Sequence, residues 1–287
     1  MRELELLQRI AADLPELQYV VNRSWVERVQ NAIATSDAGT YPDDACYAFF
    51  HILTDHRLPF AVPCIAPEDL DRRLQAVASL ARAQQKTSEY RKTRGELASR
   101  QNNQVLGALF EINVLDRLIH AAAGSIELFP AVGSGGQNVE ARVNADGRWI
   151  YVEVKAIGSS KFDPRGRSGS GSVDSMVRQV KLALDSKLGP GSQLRAVSSS
   201  YPTVLCLSLG FLADRHSGAW ALDEFLTEDT SQVSCIFLAE SVYCNLGMRP
   251  FQNSQPFRLS PAEWELFRSA LDVDLYYEAR GIGAEES

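Results

Sequence analysis

NVEARVNADGRWIYVEVKA (residues 138–156) is the stretch whose reading decides the fold. Asp146-Gly147 is a two-residue turn signal, because a type I′ turn needs positive φ at both central positions. With that turn, Ala145 faces Arg148, Val143 faces Ile150, Ala141 faces Val152 and Val139 faces Val154. The last three pairs are apolar, so the hairpin has one core face and a self-consistent register. Alternation assigns the other face. Glu140 falls opposite Glu153, Arg142 opposite Tyr151, and Lys155 lies two residues beyond Glu153 on the same side.

Directly opposed side chains have Cβ atoms about 4.5–5.5 Å apart, and like charges at that separation repel. A divalent cation between Glu140 and Glu153 removes the conflict. Mg²⁺ suits such a pair, since it takes oxygen ligands, keeps several waters and is commonly held by one or two carboxylates plus substrate phosphate. An ordinary solvated sheet face would also alternate Glu, Arg and Lys. The opposed glutamate and the wholly apolar reverse face favour the site. Trp149 and Tyr151 share that face and would either stack a base or pack under a helix.

Outward from the hairpin, SIELFPAV (125–132) reads as a strand and GSGGQ (133–137) as a turn. Residues 158–172 are Gly/Ser-rich and basic, either a loop in which Lys161, Arg165 and Arg167 would clamp phosphate or an ordinary solvated loop. VDSMVRQVKLALDSKL (173–188) is an amphipathic helix stopped by Gly189-Pro190, adding Arg178 and Lys181 to the basic side. TVLCLSLGFLA (203–213) and SCIFLAESVY (234–243) are apolar runs of buried-strand type. Upstream, helices are expected over about 68–85 and 88–120, or as a single kinked rod, and Arg91, Lys92, Arg94 and Arg100 lie along them. Glu111, within GALFEINVLDRLI, shares a helical stripe with Ala108, Leu115 and Leu118. An acid there is costly unless it is paired, bound to a cation or at the edge of the apolar face.

These residues, in this order, resemble the PD-(D/E)XK nuclease superfamily, the restriction-endonuclease-like fold, over residues 100–243. The resemblance implies an α/β mixed sheet core of αβββαβ order. It places Glu111 as the helix acid, Glu140 as the motif acid and Glu153-Val154-Lys155 as the E-x-K, with Gln179 filling the polar position on the next helix. It implies that Glu140, Glu153 and Glu111 hold Mg²⁺ (or Mn²⁺) and that Lys155 positions or activates water for phosphodiester hydrolysis. The sequence departs from the family where Glu140 replaces the usual aspartate, Val139 replaces proline, and Ala183 stands where one branch has tyrosine.

Composition narrows the class. The 287 residues are 45% hydrophobic and 23% charged, as in a folded soluble protein. No uncharged apolar run reaches the roughly 18 residues of a membrane span, and the acidic N-terminus is unlike a signal peptide, so a cytoplasmic protein with no membrane partner is expected. Five scattered cysteines and four histidines lack metal-ligand spacing, which disfavours a disulfide framework or a zinc site. Net charge of −7 argues against an extended nucleic-acid footprint, though a local basic patch can serve a small one.

The expected organisation is a helical N-terminal region (1–100), a nuclease-like core (101–245) and a C-terminal helical extension and tail (246–287). In the last, Ser260-Pro261-Ala262-Glu263 is a capping box. The expected function is metal-dependent cleavage of nucleic acid, in particular DNA, in restriction, phage defence or repair. The alternative is a catalytically silent module of the same fold that binds nucleic acid or protein. A third reading makes the N-terminal helices an interaction surface for a second copy or a protein partner.

Overall fold

The computed structural model describes residues 2–35, 44–54, 65–122, 124–132, 137–156, 178, 182, 186, 192–208, 233–239, 248–252 and 259–271. The protein is a mixed α/β molecule in which helices precede a mixed sheet. The leading helices are α1 (Arg2–Ala12), α2 (Arg23–Thr35), α3 (Ala45–Thr54), α4 (Pro67–Ala83), α5 (Thr87–Glu96) and α6 (Asn102–Ala121), with a 3₁₀ turn at Leu17–Tyr19.

The strands are β1 (Ile126–Leu128), β2 (Ala131–Val132), β3 (Gln137–Asn138), β4 (Ala141–Ala145), β5 (Arg148–Ala156), β6 (Thr203–Ser208), β7 (Cys235–Ala239) and β8 (Met248–Gln252). A six-stranded sheet runs in the order β1-β4-β5-β6-β7-β8, while β2 and β3 pair separately. The β5–β6 and β6–β7 pairs are parallel and the others antiparallel. Helix α7 (Gln193–Ser198) lies on the crossover from β5 to β6, and α8 (Pro261–Leu271) closes the described chain.

The central hairpin forms in the expected register: Ala145 faces Arg148, Val143 faces Ile150, Arg142 faces Tyr151 and Ala141 faces Val152. Asp146 and Gly147 have φ of 51° and 81°, the left-handed pair that a type I′ turn requires. The expected Val139–Val154 pair does not form, because the ladder ends at Ala141. Val139 packs instead with Val132, Tyr151 and Val197, on the face of Tyr151.

The break has a local cause. Phe129 adopts φ of 49° just before Pro130, so the single strand expected over 125–132 divides into β1 and β2. The two facing strands turn away together: the Phe129 N–H donates to the Glu140 carbonyl, and the Val139 N–H to the Pro130 carbonyl.

The long helical stretch also divides differently from expectation, into α4, α5 and α6. Arg28 donates to the Ala98 carbonyl at 2.6 Å, in the break between α5 and α6. The α4–α5 turn is tied to the sheet edge. Gln84 donates to the Ile126 carbonyl at 2.7 Å and accepts the Leu128 N–H at 2.8 Å, while Lys86 donates to the Phe129 carbonyl at 3.0 Å. A side-chain amide thereby stands in for a neighbouring strand on β1.

The C-terminal segment, expected to be helical, begins with β8 as the edge strand beside β7. Pro250 lies within β8, and an edge strand is where a residue without an N–H is tolerated. The capping box is present. The Glu263 N–H donates to Ser260 Oγ at 3.2 Å, and the Ser260 N–H donates back to Glu263 Oε2 at 2.6 Å.

One buried apolar cluster runs from Leu4 in α1 to Leu271 in α8, taking in Phe110, Val114, Val152, Val154, Cys206 and Phe237. Helices and sheet therefore share a core. Cys46, Cys206 and Cys235 are buried and in no disulfide among the described residues; burial pushes Cys46 up to about 12, so it is a packing residue. Among the described residues no helix is long and apolar enough to cross a membrane.

Candidate active site

β5 sits between β4 and β6, and its side chains alternate between two sheet faces. Val152 and Val154 enter the main apolar core beneath α6. Tyr151, Glu153 and Lys155 take the opposite face, beside Thr203, Leu205 and Leu207 of β6. Glu153 is completely buried, whereas Lys155 is half-buried. A wholly buried carboxylate is exceptional, since removing it from water costs several kcal/mol unless protein partners or a cation compensate. The E-x-K pair thus occupies an interior strand of the sheet, between β4 and β6.

Glu140 reaches the same strand from the neighbouring chain segment. At the bend where the ladder ends, its Oε2 accepts the Val154 N–H at 3.0 Å. That amide would have faced Val139 had the ladder continued. The Cys206 thiol is raised far above its ordinary value, by burial first, then by Cys235 and by the Glu140 carboxylate. Glu140 therefore acts electrostatically across β5 at the level of Val154 and Cys206, which are register partners.

Glu111 is held differently. It projects from α6 and its Oε1 accepts the Thr93 hydroxyl of α5 at 2.9 Å. Among the described residues no group of three or more His, Cys, Asp or Glu side chains is placed to hold a metal ion, so Glu111, Glu140 and Glu153 do not converge as one three-carboxylate cage. Each carboxylate has the oxygen chemistry that Mg²⁺ or Mn²⁺ takes when water and phosphate complete the shell.

Of the other expected site residues, Arg178 is helical and exposed, as are Leu182 and Ser186 at the following helical spacings. Gln179, Lys161, Arg165, Arg167 and Lys181 lie outside the described residues.

The sheet face beside Glu153 carries a polar and aromatic network that the alternation pattern only partly indicates. Arg142 donates from Nε to Glu127 at 2.7 Å and from Nη1 to the Tyr151 hydroxyl at 3.2 Å. Its guanidinium lies 4.4 Å from the centroid of the Trp149 ring. Tyr151 is buried and packs against Tyr201 with ring centroids 5.2 Å apart. Trp149 and Tyr151 are thus engaged in packing. Glu127 and Tyr201 carry no motif in the sequence, because their partners come from other strands and from the far side of the crossover.

No protein-family model matches the chain, and no curated protein is significantly similar to it.

Proposed function

We propose that the protein is a divalent-metal-dependent nuclease that hydrolyses phosphodiester bonds in DNA, with its active site built on β5 and the bend before β4. The observation that carries this reading is the fully buried Glu153, two residues from Lys155 on the same strand, with the Glu140 carboxylate bonded to the N–H of the intervening Val154. Burying an acid there costs stability, which is the trade expected of a site that binds a cation.

Glu153 and Glu140 would hold Mg²⁺ or Mn²⁺. The bound ion would polarise the scissile phosphate and lower the pKa of a coordinated water. Lys155 keeps a cation at the mouth of the same face, where it orients the attacking water and stabilises charge developing on phosphate oxygens. Val154 fixes the Glu140 carboxylate through its N–H. Thr93 fixes Glu111, which acts on the helix side as a positioning acid. Gln179 would supply a further polar contact, and Lys161, Arg165, Arg167, Arg178 and Lys181 would meet backbone phosphates.

A second reading, a catalytically silent module that binds nucleic acid or protein, is favoured by two observations. One oxygen of Glu140 is committed to a backbone amide, and no three-carboxylate group forms among the described residues.

Cleavage assays on plasmid, single-stranded DNA and RNA with Mg²⁺ or Mn²⁺ decide between them. The nuclease reading expects metal-dependent cleavage by the wild type, loss of cleavage in Lys155→Ala with the fold intact, and loss of metal binding in Glu153→Ala. A wild type that cuts none of these substrates with either metal leaves the binding module in its place.

A further inference from the structure

A cleft of about 250 Å³ lies among the N-terminal helices, with no β5 residue in its lining, and its chemistry suits a ligand of its own. Three of its walls carry arginine: Arg82 of α4 and Arg91 and Arg94 of α5. The acid in its lining is Glu16. In a chain of net charge −7, three guanidinium groups around one carboxylate form a local field of the opposite sign.

The three arginines are not equivalent. Arg94 is structural: it donates to Glu16 at 2.6 Å and lies 4.2 Å from the centroid of the Tyr19 ring, holding that ring at the rim. Glu16 is further engaged by the Tyr90 hydroxyl at 2.8 Å. Arg82 approaches Glu16 only at 3.5 Å and its side chain is 59% exposed. Arg91 is exposed and makes no ion pair among the described residues. Arg91 is therefore open to an incoming anion, and Arg82, held only by the long Glu16 contact and by Ser79 at 3.3 Å, is exposed enough to join it. Thr87, the first residue of α5, also lines the cleft, while the first turn of that helix is already served by Glu89, whose carboxylate bonds its own backbone N–H. Exposed guanidinium groups lining one cleft are a favourable seat for phosphate oxygens. Tyr19 is 58% exposed, with Arg94 against its ring, and offers a flat apolar surface beside the cations.

We propose that this cleft binds a nucleotide through its phosphate ester, with Arg82 and Arg91 taking the phosphate and Tyr19 stacking the base. The volume suits one phosphate with its sugar rather than a duplex, so the occupant is a free mononucleotide or the terminal nucleotide of a strand. The site stands independently of Glu140 and Glu153.

Calorimetric titration of the full chain, without divalent cations, tests it using dAMP, inorganic phosphate, and an oligothymidylate with either a 5′-phosphate or a 5′-hydroxyl. Binding of dAMP should be weakened about tenfold or more in Arg91→Glu and in Arg82→Glu, both exposed changes whose folding is checked by circular dichroism. Tyr19→Ala should weaken dAMP but leave inorganic phosphate unchanged. If the phosphorylated strand binds better than the hydroxyl strand, the occupant is a strand end; if dAMP binds and the two strands do not differ, it is a free nucleotide. Absence of binding by every probe, or binding indifferent to Arg91→Glu and Arg82→Glu, overturns the proposal. The readout needs neither metal nor cleavage, so its failure is distinguishable from failure of the nuclease reading.

Discussion

The carboxylate of Glu140 accepts the backbone N–H of Val154 at 3.0 Å, completing with a side chain a ladder whose own backbone has turned aside. The ladder from Ala141 to Ala145 is regular, and Phe129 and Pro130 draw the preceding residues toward β2. The peeled strand leaves the β5 amide to be satisfied, and the Glu140 carboxylate satisfies it.

That relationship predicts different outcomes for two substitutions. Glu140→Gln keeps an acceptor for Val154 and removes the charge, so stability should change by less than about 1 kcal/mol. Glu140→Ala removes the acceptor and should cost about 1–2 kcal/mol. Urea denaturation measures both. On the nuclease reading both variants also lose the rise in melting temperature that Mn²⁺ gives the wild type.

Asp71 is buried in α4 and accepts the Glu16 N–H at 2.8 Å and the Leu17 N–H at 2.7 Å, with Gln75 as a third donor. It therefore caps the 3₁₀ turn at Leu17–Tyr19 from another element. Asp71→Ala should strand two buried amides and cost about 2–4 kcal/mol, while Asp71→Asn should recover part of that. Denaturation midpoints of the two variants check the order.

Glu263 is buried at the start of α8, where it accepts from Arg148 Nε at 2.7 Å. Burial alone would raise its carboxyl, but Arg148 and the Ser260 N–H outweigh burial and hold it below the ordinary range. A carboxylate lowered on folding contributes stability that is complete above the unfolded value, about 4.3, and is lost as pH falls through the folded value. Wild type should therefore lose stability below pH of about 4.5 more steeply than Glu263→Gln, as read from urea midpoints between neutral and acid pH.

Gly147 has φ of 81°, and a Cβ there would meet no atom within 4 Å. Gly147→Ala should cost about 1–2 kcal/mol from backbone strain alone. Gly107 lies inside α6 with equal room for a Cβ. Gly107→Ala should stabilise by about 0.5–1 kcal/mol through helix propensity. Thermal melts of the two variants should move in opposite directions.

Residues 141–152 were legible because their information is local. A turn dipeptide that tolerates positive φ and strict alternation on both sides determine which residues face each other, wherever the hairpin ends up. The capping box at Ser260 was legible for the same reason, since both of its hydrogen bonds close within four residues. β8 was not: a short run containing proline reads as a non-strand until the edge position beside β7 removes the need for that N–H.

The sequence by itself determined the hairpin, its register and the succession of glutamate and lysine on one side of β5, because those follow from bond geometry over a few residues. Only the tertiary structure decided that Glu153 is sealed from solvent, that Glu140 bends to Val154 instead of extending the ladder, and that Glu111 turns to Thr93. Each of those outcomes depends on a partner brought in from a distant part of the chain, and no periodicity along a strand or helix encodes where that partner will pack.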